Sequence, residues 1–196
     1  MITLNNAGVT FQGGATLRLP DVTVSAGEHV LVLGPSGSGK STLLAVLAGF
    51  TPVSDGVCVV DAVRVGMVFQ TLHLLPALTV RQNLLLAQSL AGVPADTSHM
   101  AQLLTALGIA HLADRKPDGL SHGQAQRVAI ARALAAKPAL LLCDEPTAAL
   151  DDANTQTVAD LLLTQAAATG ATLVVATHDS RLKKRFKRVL VLEGRE

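Results

Sequence analysis

The feature that most constrains this chain is GPSGSGKST, residues 34–42, set between the apolar run HVLVL and the helix-like LLAVLAGF. A β-branched, continuously apolar pentamer reads as a buried strand, and the segment after Lys40 reads as a helix, so the glycines must make a tight turn from one into the other. Gly34, Gly39, Lys40 and Ser41 satisfy the pattern G-x-x-x-x-G-K-[ST] in the strand–loop–helix context it needs. Such a loop curls so that successive backbone N–H groups point inward, with Lys40 adding a point charge and the helix its positive N-terminal end. The loop is an anion cradle suited to phosphate oxygens, and the Ser41 hydroxyl is placed to reach a Mg²⁺ ion. The reaction stays open at this point, because many chemistries use the same cradle.

The rest of the chain agrees with an α/β fold. Short β-rich pieces, ITL, VTF, TLRL and VTV, open the sequence and are separated by Gly, Asn, Pro or Ser, which predicts a small antiparallel subdomain. From residue 29 strands alternate with helices: HVLVL, then ALLLCD before the helix after Asp151, then TLVVAT before a basic segment read as a helix. Alternation of this kind implies a parallel sheet covered on both faces. Residues 71–136 instead read as helices (VRQNLLLAQSLA, HMAQLLTALG, GQAQRVAIARALAA), an insert able to rotate against the core. The expected organisation is one domain over 1–196, with core and β-subdomain in 1–70 and 137–196 and a helical lobe in 71–136.

Composition excludes several function classes. Sixteen basic against 15 acidic residues, without Trp or Tyr and with four Phe, argue against a nucleic-acid surface. Six of the basic residues crowd into RLKKRFKR, 181–188, whose Leu182 and Phe186 would form one apolar edge of a basic helix, either a solvated face or one turned to anionic headgroups. No apolar run reaches the roughly 18 residues of a membrane span, and MITLNNAGVTF has no export-signal character, so a cytosolic protein is expected. Cys58 and Cys143 stand in VCVV and LLLC with no CxxC or His-rich tract, and read as small core residues.

Two further constellations carry chemistry. In ALLLCDEP, 139–146, Asp144 and Glu145 stand at the carboxyl end of a buried strand, where a parallel sheet places its ligand site. One carboxylate there can hold Mg²⁺ and the other polarise a water. LSHGQ, 120–124, precedes a long helix, with Ser121 at its N-cap; this is either ordinary capping or a second anion site.

The order phosphate loop, Gln70 in MVFQ, LSHGQ, LLLCDEP, AALD at 148–151 and His178 in VVATHD resembles the nucleotide-binding domain of ATP-binding cassette (ABC) proteins. The resemblance covers essentially the whole chain, and its six ordered motifs are specific. It implies a P-loop NTPase with a RecA-like parallel sheet core, a small antiparallel β-subdomain and an inserted helical lobe. It implies ATP and Mg²⁺ as ligands, a homodimer or cassette pair formed on ATP binding, and an integral membrane permease as partner at the cytoplasmic side of the inner or plasma membrane. Residue by residue, it implies that Gly34, Pro35, Ser36, Gly37, Ser38, Gly39, Lys40, Ser41 and Thr42 hold phosphates. Ser41, Gln70 and Asp144 would bind Mg²⁺, Glu145 would act as general base, and His178 would contact the γ-phosphate. Lys40 and Gln70 join these as catalytic residues. Phe11 would stack on adenine, while Ser121, Gly123, Gln124 and Asp151 would meet the nucleotide held by the opposite subunit.

Three departures accompany the resemblance. His122 stands where such cassettes most often have glycine, and is expected to face solvent. Only thirteen residues separate Gly56 from Gln70, which predicts a minimal β-subdomain, and no regulatory extension is expected beyond VLVLEGRE. FQTLHLLPALTVRQN, 69–83, looks like the groove that receives a permease's coupling helix, with Leu74, Leu75 and Leu78 as apolar contacts. Its LLP string resembles cassettes of the lipoprotein-release and macrolide-efflux type. The competing expectation is a soluble ABC ATPase, for example of the iron–sulfur assembly type, working without a permease.

Overall fold

A computed structural model describes residues 1–148 and 150–194. Two sheets organise it. The first is antiparallel: β1 (Ile2–Thr10) runs between β2 (Thr16–Arg18) and β3 (Val22–Val24) on one side and β5 (Asp55–Val60) on the other. ITL and the Val9 and Thr10 of VTF are therefore parts of one strand rather than two. Asn6, with φ of 51°, and a register shift between Asn5 and Gly8 form an irregularity that lets β1 continue through the polar NNAG. What looked like a turn signal is a bulge.

The second sheet is wholly parallel, in the order β6 (Val65–Val68), β7 (Leu140–Asp144), β8 (Thr172–Thr177), β4 (His29–Leu33), β9 (Arg188–Val191). β7 and β8 are buried at every residue, as their unbroken apolar runs require in a sheet covered on both faces. On one side α1 (Lys40–Leu47) packs with the inner face of the antiparallel sheet, in a core that includes Ile2, Leu4, Leu44 and Val174. On the other side α4 (His122–Ala135) and α5 (Asp152–Thr169) share a core with Leu31, Leu141 and Val175.

Between β6 and β7 the chain makes α2 (Val80–Leu90), α3 (Thr97–Ala106) and α4, with two short 3₁₀ turns before α4. Capping boxes start α2 at Thr79, with Gln82, and α4 at Ser121, with Gln124, each satisfying two otherwise unpaired backbone N–H groups. No described helix is long and apolar enough to cross a membrane.

The segment 181–188 differs from its expected helix. Ser180–Arg185 is a 3₁₀ turn, and Arg188 already belongs to β9. Leu182 and Phe186 are buried at 1% and 6% exposure, so they are core residues and not an apolar edge on a solvated helix. Three of the basic side chains serve the fold: Arg181 pairs with Asp152 and Asp179, Arg185 with Asp160, and Arg188 with Glu28. Cys143 is fully buried as expected, whereas Cys58 is half-buried, since β5 turns Val57 and Val59 outward. Of the terminal VLVLEGRE, Arg195 and Glu196 lie outside the described residues.

Candidate nucleotide site

Register in the parallel sheet brings the site together. Leu33 of β4 lies beside Thr177 of β8, and Asp144 of β7 beside Ala176, so Gly34, Glu145 and His178 all leave the carboxyl edge of adjacent strands. The Gly34 N–H donates to the Thr177 carbonyl at 3.2 Å, fixing where the phosphate loop begins. A Cβ at Gly34 would stand 2.7 Å from the Leu192 carbonyl oxygen, so a side chain is excluded there by backbone. Gly39, with φ of 93°, occupies the cap position of α1 and offers no side chain to its first-turn N–H groups. Those donors are left facing the loop, as an anion site requires.

A cavity of about 490 Å³ lies over this edge, lined by Phe11, Leu17, Pro35, Ser36, Gly37, Gly39, Lys40, Ser41, Thr42, Gln70, Glu145 and His178. Phe11 sits just beyond β1, 43% exposed, rather than in a core. Lys40 is 6% exposed and its Nζ donates to the carbonyls of Gly34 and Pro35 at 2.8 and 2.9 Å, which holds the ammonium across the loop. Ser38 is buried, lines a neighbouring cleft under β2 and β9, and leaves its hydroxyl unpaired.

Glu145 has the most constrained geometry. Its φ of 47° is unusual for a residue with a side chain, and its N–H donates to the Ala176 carbonyl at 2.8 Å. One carboxylate oxygen accepts from the Thr177 hydroxyl at 2.8 Å; the other contacts His178 Nδ1 at 2.9 Å and lies 3.6 Å from Lys40 Nζ. A carboxylate can only accept, so Nδ1 of His178 carries the proton in this contact. Burial pushes the Glu145 carboxyl pKa up, but the hydrogen bonds from His178 and Thr177 outweigh it and leave the group below its ordinary value. Glu145 is thus kept ionised. The imidazole of His178 is 65% exposed, so it is free to turn toward the cavity.

Asp144, one residue earlier, is driven the other way. Burial raises its carboxyl pKa against a hydrogen bond from Ser41, and Glu145 next door raises it further. Its Oδ1 is buried without a hydrogen-bond partner. Asp144 does not itself line the cavity, but its orphaned carboxylate oxygen lies behind Ser41, which lines it together with Gln70; the three are hard-oxygen donors of the kind Mg²⁺ takes. Among the described residues no cluster of three His, Cys, Asp or Glu could hold a metal without outside ligands. Phosphate oxygens would have to complete this one.

The other predicted residues are brought together elsewhere. Ser121, Gly123 and Gln124 line a separate cavity of about 360 Å³ with Arg127, Leu150 and Asn154. Asp151 caps α5 by accepting from the Asn154 N–H, and lines neither cavity. His122, at the first position of α4, is exposed. Within one chain, therefore, the Ser121 cavity and the phosphate-loop cavity are separate, and Ser121 and Gln124 form a capping box.

Sequence reasoning missed the anchors of the loop after Gln70. Asn83, buried in α2, accepts from the Leu75 N–H and donates to the carbonyls of Leu75, Leu78 and Thr79. Arg132 of α4 donates to the carbonyls of Leu72 and His73. Asn83 closes the segment 69–83 without any signal of its anchoring role, and nothing in the local pattern around Arg132 signals a partner 60 residues away. Of the apolar residues in this segment, Leu74 packs on the core and Leu75 is 44% exposed.

Residues 17–148 match the family model described as ABC transporter. An uncharacterized ABC transporter ATP-binding protein of Mycobacterium tuberculosis is 38% identical over an alignment covering 99% of this chain and 87% of the relative. The lipoprotein-releasing system ATP-binding protein LolD of Xanthomonas axonopodis pv. citri is 42% identical, covering 88% and 78%. Among solved structures, a dimeric bacterial ABC transporter cassette superposes with a TM-score of 0.87 at 32% identity, over 98% of this chain and 94% of the other. A dimeric ATP-binding cassette in a post-hydrolysis state, bound to ADP and Pi, gives 0.87 at 30% identity, over all of this chain.

Proposed function

The chain belongs to the ATP-binding cassette family of ABC transporters, and from that premise we propose that it hydrolyses ATP to ADP and phosphate as the motor subunit of a membrane permease. One observation carries the reading: a single cavity is lined by the phosphate loop, Gln70, Glu145 and His178, four segments far apart in sequence. Phosphates would lie on the N–H groups of Ser36 through Thr42, with Lys40 turned from the loop carbonyls to the β- and γ-phosphates and Phe11 against the adenine. Ser41, Asp144 and Gln70 would hold Mg²⁺, which supplies charge neutralisation for the transferring phosphoryl group. Glu145, already ionised, accepts the proton of the attacking water. His178 then exchanges its contact with Glu145 for one with the γ-phosphate.

A second copy would bring Ser121, Gly123, Gln124 and Asp151 over this cavity, the γ-phosphate charge being shared between two opposed anion sites. The placement of those residues outside the first cavity supports this reading, as does the dimeric form of one similar cassette, seen in two structures. The helical lobe, 71–136, would carry the motion to a permease through segment 69–83, which Asn83 and Arg132 bind to the lobe. The protein would then sit peripherally on the cytoplasmic face of the membrane. Relatives of nearly equal identity are named for lipoprotein release and for thiamine import, so what they share with this chain is the motor and not a cargo.

The test is purification of tagged Glu145→Gln protein from detergent-solubilised membranes with ATP and Mg²⁺. A stoichiometric multi-span protein is expected. Recovery of soluble partners alone would overturn the permease reading and leave the ATPase chemistry standing.

A further inference from the structure

Thr177 ends β8 and is completely buried, one residue before the exposed His178. Its hydroxyl makes two contacts: it accepts from the Asp179 N–H at 3.0 Å and lies 2.8 Å from Glu145 Oε2. Because the Asp179 N–H fills an acceptor direction, and the carboxylate can only accept, the single hydroxyl proton is directed at Glu145. The Thr177 carbonyl accepts from the Gly34 N–H. One buried residue therefore touches both the start of the phosphate loop and the carboxylate on the neighbouring strand end.

We propose that Thr177 is a positioning residue for hydrolysis, its hydroxyl holding the Glu145 carboxylate in the orientation that receives the proton of the attacking water. The inference rests on the assignment of Glu145 as the base. Of the other groups at that carboxylate, the His178 imidazole and Lys40 are mobile partners, and the His178 backbone N–H lies farther off, 3.2 Å from Oε1 and 3.4 Å from Oε2. His178 is 65% exposed and turns away when it meets a phosphate, and Lys40, 3.6 Å from Oε1, is drawn to the nucleotide. Thr177 is locked by full burial and by its strand, so its contact persists through binding. Without it, Glu145 keeps its backbone anchor to Ala176 and the longer contacts from the His178 N–H, but the carboxylate loses its shortest donor, at 2.8 Å.

Steady-state hydrolysis by Thr177→Val, Thr177→Ser, Glu145→Gln and the Thr177→Val/Glu145→Gln pair, with ATP affinity measured for each, tests this. Thr177→Val is expected to lower kcat by about tenfold or more, as losing a hydrogen bond to a charged group does, while KM and ATP affinity stay at wild-type values. Thr177→Ser, which keeps the hydroxyl, recovers most of the rate. In the Glu145→Gln background the valine adds less than about a twofold further loss in single turnover, because coupled residues are not additive. A wild-type kcat in Thr177→Val, or its full loss multiplying that of Glu145→Gln, overturns the proposal. If Thr177→Val does not fold, Thr177→Ala is read by the same criteria. Wild-type hydrolysis by Glu145→Gln alone would instead remove the base assignment, a separate outcome.

Discussion

At the scale of single residues, the site separates binding from chemistry. Lys40 is buried and spans the loop, so its charge serves whichever anion the loop holds. Lys40→Ala is expected to abolish ATP binding, measured by calorimetric titration. The ionised carboxylate of Glu145 is held between Thr177 and His178. Glu145→Gln keeps the shape and removes the basicity, so ATP affinity should stay while turnover falls by about 10² to 10⁴, the usual worth of a general base. Equal losses of affinity in both variants would contradict this division of labour.

At the scale of elements, the outermost strand of the parallel sheet is tied to the turn before β4. Arg188 of β9 donates to the Thr23 carbonyl and to Glu28, each at 2.8 Å. The Arg188 hydrogen bond, with one from the Ser25 N–H, holds the Glu28 carboxyl below its ordinary value of 4.5. A carboxylate whose pKa is depressed on folding stabilises the fold above its unfolded pKa, and that contribution fades as pH falls through the folded value. Urea unfolding of the wild type should therefore lose midpoint between pH 6 and pH 3 more steeply than that of Arg188→Gln. Parallel profiles would show that the pair does not contribute. This strand also marks the limit of what was legible in the sequence. Strands with unbroken apolar runs, such as LLLCD and TLVVAT, are recognisable because burial on both faces leaves no alternation. In RLKKRFKR the high charge conceals that Leu182 and Phe186 are core residues and that Arg181, Arg185 and Arg188 answer carboxylates distant in sequence. Likewise NNAG reads as a turn because the irregularity of β1 depends on its partner β5 and not on local propensity. The phosphate loop needed no partner to be read, since its constraint is local backbone geometry.

At the scale of the whole molecule, the parallel register gathers one set of site residues at a strand edge, while the start of α4 presents another set in its own cavity. Under the proposed function a complete site would require two chains, each supplying the half the other lacks, with the γ-phosphate as the group that both halves need. This is the central claim, and sedimentation of Glu145→Gln protein with ATP and Mg²⁺, with ADP and Mg²⁺, and without nucleotide tests it most directly. A dimer with ATP alone, dispersed to monomers when Ser121 is replaced by Asp to repel the phosphate, is the predicted result. A monomer under all three conditions, or a dimer indifferent to the nucleotide, would contradict it.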